Sequence, residues 1–252
     1  MPFRWWTNRR RRKLLAQPPP ADWLGWLRDD LPFFNRLTAS DQADLFDLAR
    51  IFVNEKTFIP RDGFELTDRI QLNIAAQACL LIFRMKHRHY RRVQTIFVYP
   101  TTRTMTTHDG RLERDTAFTG AASPGGPVLL CWDAVQRGAA HHNDGHNVVF
   151  HEFAHALDFN DRTADGCPPL ASRNQYQQWF EVMSRHYDDL LNPQGRSRRV
   201  IRDYGKTSPA EFFACATEAL FEQPRQLRRH LPDLYALLRD DYHQHPAAWP
   251  GG

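Results

Sequence analysis

Apolar residues recur at helical spacing through most of this chain. Leu45, Leu48, Ala49 and Phe52 follow Thr38-Ala-Ser-Asp41, which resembles a capping box with Asp in the Glu place. Thr67 can cap the next helix, on which Ile70, Ile74, Ala78, Leu81 and Ile82 form a broad apolar face. Residues 23–28 read as a short helix, residues 173–191 as a long one, and 208–222 as a third that opens at Ser208-Pro-Ala-Glu211 and ends before Pro224. A final helix pair occupies 225–242. Period-two or β-branched runs are few. Residues 93–99, bounded by Pro100, and 128–132 read as strands, whereas 101–120 give only weak strand signals. Residues 58–64, with Pro60 and Gly63, read as an extended link, and 138–145 and 193–206 as loops. No internal repeat appears. Helices with a few strands between them predict an α+β fold, mostly helical with a small mixed sheet and without βαβ alternation.

The most apolar helix carries the chemistry. Residues 147–158 read Asn-Val-Val-Phe-His-Glu-Phe-Ala-His-Ala-Leu-Asp, with no Gly or Pro between 146 and 165 and Asp144 as the predicted N-cap. Val148, Val149, Phe153, Ala154 and Leu157 mark the helix as buried, yet it carries His151, Glu152, His155 and Asp158. Buried polar groups are costly unless they are paired or bind a metal. His151-Glu152-x-x-His155 places both imidazoles on one helix face, where they can bite one ion. Zinc suits imidazole, and a catalytic zinc keeps three protein ligands and one open place. Glu152 sits beside the pair as a candidate base. Asp158 shares the face and can hold the far nitrogen of a ligand histidine. The metzincin extension fails, because Asp158 and Asp161 stand where Gly and His would be required. A third ligand is therefore expected to be a carboxylate on a later helix. The candidates are Glu181, Glu211, Glu218 and Glu222; Glu211 and Glu218, seven apart, share a face and spacing does not choose between them, and Glu211 also fits a capping box with Ser208.

Composition narrows the class. The 252 residues are 42% hydrophobic and 12% aromatic, enough for a real core and against disorder. Cys79, Cys131, Cys167 and Cys215 show no C-x-x-C pairing, and Cys79 and Cys215 lie in apolar helical patterns as buried free thiols. The formal charge is +4, but residues 1–13 hold six cations (Arg4, Arg9–Arg12, Lys13), so the remainder is 4 − 6 = −2. Direct nucleic-acid binding by the body is not expected. Residues 1–20, closed by Gln17-Pro-Pro-Pro20, read as a basic, mobile tail, 21–246 as one domain, and 247–252 as a C-terminal tail. No apolar segment suits a signal peptide or a membrane span, so the cytoplasm is the expected location.

Several spaced motifs together carry a resemblance. Residues 145–158, Ser208-Pro-Ala-Glu-Phe-Phe-Ala214, Ile74-Ala-Ala-Gln-Ala-Cys-Leu-Leu81, Gly126-Pro-Val-Leu-Leu-Cys-Trp-Asp133 and Tyr235-Ala-Leu-Leu-Arg239 resemble, in order, the Mlc titration factor A family of bacterial zinc peptidases. The likeness runs from about Arg10 to Pro246. It implies a zincin-like metallopeptidase with one zinc held by His151, His155 and Glu211, Glu152 as general base and Tyr204 as an active-site tyrosine. The catalytic domain of anthrax lethal factor is similar in this Tyr-then-Glu spacing. The resemblance further implies aminopeptidase-like cleavage of peptides, and a partner in the glucose-responsive repressor Mlc, through which glucose phosphotransferase expression is regulated. The competing expectation is a non-catalytic, zinc-stabilised regulatory protein that binds a repressor. The similarity to zincins further implies residues 128–132 as the edge strand that aligns substrate.

Overall fold

The structure, a computed structural model, describes residues 2–85, 90–104, 117–122, 126–159 and 163–250. Ten helices longer than one turn are described: α1 (Pro2–Leu15), α2 (Trp23–Asp30), α3 (Ala39–Glu55), α4 (Asp68–Ile82), α5 (Trp132–Ala140), α6 (Val148–Asp158), α7 (Arg173–Leu191), α8 (Pro209–Glu222), α9 (Pro224–His230) and α10 (Pro232–Tyr242). Four strands form one sheet: β1 (Thr57–Pro60), β2 (Thr95–Tyr99), β5 (Gly120–Ala122) and β6 (Val128–Cys131), in the order β1-β2-β6-β5. A separate two-residue ladder joins β3 (Arg103–Thr104) to β4 (Ala117–Phe118). β1 and β6 both run parallel to β2, and β5 runs antiparallel to β6. The α+β, mostly helical architecture with a small mixed sheet is thus as the pattern predicts.

The caps explain several helix starts. Thr38 accepts the Asp41 N–H, Thr67 the Ile70 N–H, Ser172 the Gln175 N–H and Ser208 the Glu211 N–H, each meeting one N–H that a helix start leaves unpaired. At α6 the cap is Asn147, whose side chain accepts the Phe150 N–H. The expected cap, Asp144, lies in the preceding turn and accepts the His146 N–H instead.

Four other expectations are corrected. β1, α4 and β2 form a parallel crossover, so a βαβ unit is present; its first strand is only four residues long and ends in Pro60, which disguises it as a link. The loop placed at 138–145 begins later, because α5 runs to Ala140; Gly138 inside it lies against Asn147, where a Cβ would sit 3.1 Å from the Asn147 Cα. β6 is an interior strand, paired on both sides, and among the described strands the edge beside it belongs to β5. The basic N-terminal stretch is helical from Pro2 to Leu15 and is tied to α3, with Arg11 paired to Glu55 at 2.6 Å and Arg50 donating to the Leu14 and Gln17 carbonyls.

α6 is the centre of the core, with every residue buried. Its apolar side carries the Phe153 ring, 4.8 Å from the Tyr90 centroid and 5.8 Å from that of Phe52, and the Phe150 ring, 5.5 Å from that of Phe221. Removing one such ring costs ~3–5 kcal/mol, so apolar packing sets where α6 lies. The polar side of α6 is left facing α8 and β5.

Candidate metal centre

Three donors converge where α6 meets the first turns of α8. The His151 Nε2 is 2.9 Å from a Glu211 oxygen, the His155 Nε2 is 3.3 Å from the same oxygen, and the two Nε2 atoms are 3.2 Å apart. Four residues of helix place the two rings one turn apart on one face, and Ser208 fixes the start of α8 so that Glu211 projects toward them. The spacing of seven could not choose between Glu211 and Glu218. The geometry separates them. Glu218 lies behind the His151 ring, 3.2 Å from Nδ1, and has no exposed surface.

The electrostatics follow from burial and pairing. Burial works against the charged form of His151, but Glu218 and Glu211 outweigh it and raise its pKa well above the usual value. Burial likewise pushes against ionised Glu211, and the bonds from His151 and His155 overcome it, bringing that carboxyl down to about 2. Glu218 is held ionised by His151, Arg202 and the Asn147 N–H at 2.9 Å. Burial pushes the Glu152 carboxyl up to about 8. Here the backbone of β5 presses in: the Ala122 N–H donates to Glu152, and a Cβ on Gly120 would sit 2.7 Å from Glu152 Oε1.

The donor set fits a divalent cation. Where His151 Nδ1–H donates to Glu218, the Nε2 lone pair is left pointing at a carboxylate oxygen and at a second imidazole Nε2. Lone pairs brought this close need a positive charge among them, and two imidazoles with one carboxylate suit zinc. Cys215, Glu218 and His151 also lie within ligand distance of one another, but Glu218 is already engaged by Arg202 and the Asn147 N–H.

Tyr204 stands on the 3-10 turn Asp203–Lys206, its ring 5.7 Å from that of His151, and the residue is 45% exposed. Burial of the remaining ring raises its pKa. Asp158 is placed elsewhere than expected. Its two oxygens accept the Gly166 and Cys167 N–H groups at 3.0 and 2.9 Å, and the His155 Nδ1 has no hydrogen-bond partner among the described residues. The carboxylate behind a candidate ligand histidine is Glu218, which sequence reasoning weighed only as a metal ligand. Arg202 and the β5 backbone escaped notice. Arg202 lies in an irregular loop, and β5 contributes main-chain atoms that no side-chain pattern announces.

An α+β fold that brings two histidines and a glutamate from facing helices to one point has the layout of a metallopeptidase. The chain belongs to the glucose-regulated metallo-peptidase M90 family, whose profile matches residues 4–243. An uncharacterized protein of Synechocystis sp. is 38% identical over 94% of this chain and 89% of its own length. Mlc titration factor A of Salmonella typhimurium is 28% identical over 88% of this chain and 87% of its own, and its counterpart in Salmonella enteritidis matches equally. The resemblance drawn from the motifs therefore holds across nearly the whole chain.

Proposed function

We propose that this chain is a zinc-dependent peptidase in which His151, His155 and Glu211 hold one zinc ion. The observation that carries the reading is the meeting of two imidazole nitrogens and a carboxylate oxygen on the polar side of a buried helix, with a further, buried acid, Glu152, beside them. When bound, zinc supplies Lewis acidity to a water molecule and to the scissile carbonyl. Glu152 takes a proton from the water and returns it to the leaving amine; a pKa raised by burial is drawn back down by a neighbouring cation, which suits a base. Glu218, itself bonded by Arg202, holds His151 with its Nε2 turned toward Glu211 and His155. Tyr204 donates to the oxyanion of the tetrahedral intermediate. An extended substrate adds to the outer edge of β5, the strand whose backbone touches Glu152. Aminopeptidase-like cleavage in the cytoplasm by a single domain spanning 21–246 completes the reading.

Glu152→Gln tests it. Zinc content by mass spectrometry and thermal melting should match wild type, while hydrolysis of a peptide library falls ~10²-fold or more. Unchanged hydrolysis removes Glu152 as the base, and loss of zinc makes the residue structural.

A second reading rests on the relatives named Mlc titration factor A: the chain also binds a repressor of the Mlc type. Purified chain and such a repressor should co-elute on gel filtration, and the Glu152→Gln variant should co-elute equally. Separate elution at concentrations well above those of the cell refutes partnership. A purely regulatory, non-catalytic role is disfavoured by Glu152, which a structural zinc does not need.

A further inference from the structure

The 3-10 turn Arg196–Arg199 touches α9. Ser197, Val200 and Leu227 are buried, while Arg196, Arg198, Arg199, Arg225, Arg228 and Arg229 are exposed. On α9 the three arginines stand at i, i+3 and i+4, one face of a helix. Only Arg198 has an ion pair among the described residues, to Asp203 at 3.6 Å, and Asp203 is shared with Lys206 at 2.8 Å. The other acids between 196 and 229 are Glu211, Glu218 and Glu222, all turned into the core or the candidate metal centre. Asp189 on α7 accepts the Ser197 N–H beside this turn, yet six guanidinium groups project from two touching elements and, among the described residues, only the Arg198–Asp203 pair neutralises one of them directly. Such a face attracts carboxylates, which guanidinium groups grip in a two-pronged fashion.

This face is joined to the candidate centre by a short path. Val200 and Ile201 anchor the chain in the core, and the next residues are Arg202, which bonds Glu218, and Tyr204, beside His151. We propose that the arginine face is a docking surface for an acidic segment that flanks the cleaved region of the substrate. The proposal rests on the peptidase reading for its substrate. Continuity with the candidate centre through Arg202 and Tyr204 favours a substrate segment over a nucleic acid, which the duplex probe below tests.

The test uses the full chain with Glu152→Gln, loaded with zinc, and fluorescence anisotropy. Three probes are compared: a labelled peptide bearing a run of glutamates, the same peptide with glutamines, and a short duplex DNA. The glutamate peptide should bind roughly tenfold or more tightly than the glutamine peptide at low salt, with the advantage shrinking at high salt. Arg225→Glu, Arg228→Glu and Arg229→Glu together should erase the advantage. Arg196→Gln, Arg198→Gln and Arg199→Gln serve as the second set should the first fail to fold by circular dichroism. Equal binding of the two peptides, an advantage that survives both variant sets, or tighter binding of the DNA overturns the proposal. With Glu152 restored, zinc-loaded protein should show a lower KM for the glutamate peptide. If no peptide is cleaved while the glutamate peptide still binds through the arginines, the peptidase reading falls and the docking surface stands.

Discussion

Two histidines in this molecule are equally buried, His151 at 7% and His186 at 8% exposure, and each lies against carboxylates. Their surroundings differ in one respect. The His186 Nε2 meets Asp233 at 2.9 Å and its Nδ1 meets the Ser197 hydroxyl at 3.4 Å, so both nitrogens are matched. Ser197, which completes a Ser-His-Asp series, has no exposed surface and its N–H bonds Asp189, so it cannot meet a substrate. At His151 one nitrogen is matched by Glu218, while the other points at two further acceptors. A buried histidine beside an acid is therefore not diagnostic of function. The diagnostic feature is a set of ligand atoms, two imidazole nitrogens and a carboxylate oxygen, converging from two helices on one point.

Breaking each site in turn sharpens this contrast. The largest effect is expected for Glu211→Ala, which should lose most of the bound zinc and with it hydrolysis, while Asp233→Ala keeps the zinc stoichiometry of wild type. Equal zinc loss in the two variants would erase the distinction. Tyr204→Phe should leave zinc and fold intact, keep KM within a few-fold and lower kcat by roughly one to three orders of magnitude, as for an oxyanion donor. Steady-state kinetics that match wild type would remove the tyrosine from the chemistry.

Glu218→Ala should weaken zinc affinity by ~10–100-fold without abolishing binding, since in the proposed ligand set it orients His151 and Glu211 is the third ligand. A chelator titration reads this directly, and complete zinc loss would move Glu218 into the ligand set. Glu222 offers a pH test within the same buried network. Burial raises its carboxyl to about 9 from an ordinary 4.5, so between those values the folded state holds a proton that the unfolded state releases. Stability then falls as pH rises through that window. Glu222→Gln should flatten the decline and raise stability by on the order of 1–3 kcal/mol near pH 7, measured by urea unfolding across pH. A variant as pH-sensitive as wild type would show that Glu222 is not the source. The smallest effect belongs to Asp233→Asn, which should cost ~1 kcal/mol through the His186 bond and leave hydrolysis unchanged.

Legibility in the sequence followed side-chain pattern. α7 and α8 announce themselves through Ser172 and Ser208, their apolar periodicity and the Pro224 that closes α8. The pairing of His151 with His155 is local, so spacing suffices to reveal it. Glu211 required the family motif, because two carboxylates seven residues apart present the same helical face and only tertiary packing decides which reaches the imidazoles. β5 is a Gly-Ala-Ala segment whose contribution is main-chain geometry, and its small side chains leave no period to read. Asp158 was misplaced for a related reason: its partners are N–H groups at 166 and 167, which every residue type provides.

The separation of 60 residues between His151 and Glu211 also has a consequence in time. At ~5–20 residues per second of synthesis, α6 exists for roughly 3–12 s before Glu211 is even added, and longer before Glu218 follows. Throughout that interval the two histidines have neither the carboxylate facing them nor the one behind. Metal selection by the proposed three-ligand set is thus a late event in the life of the nascent chain, after α8 has left the ribosome and folded against α6. An ion captured by the histidine pair alone is bound by two donors and remains exchangeable until that closure.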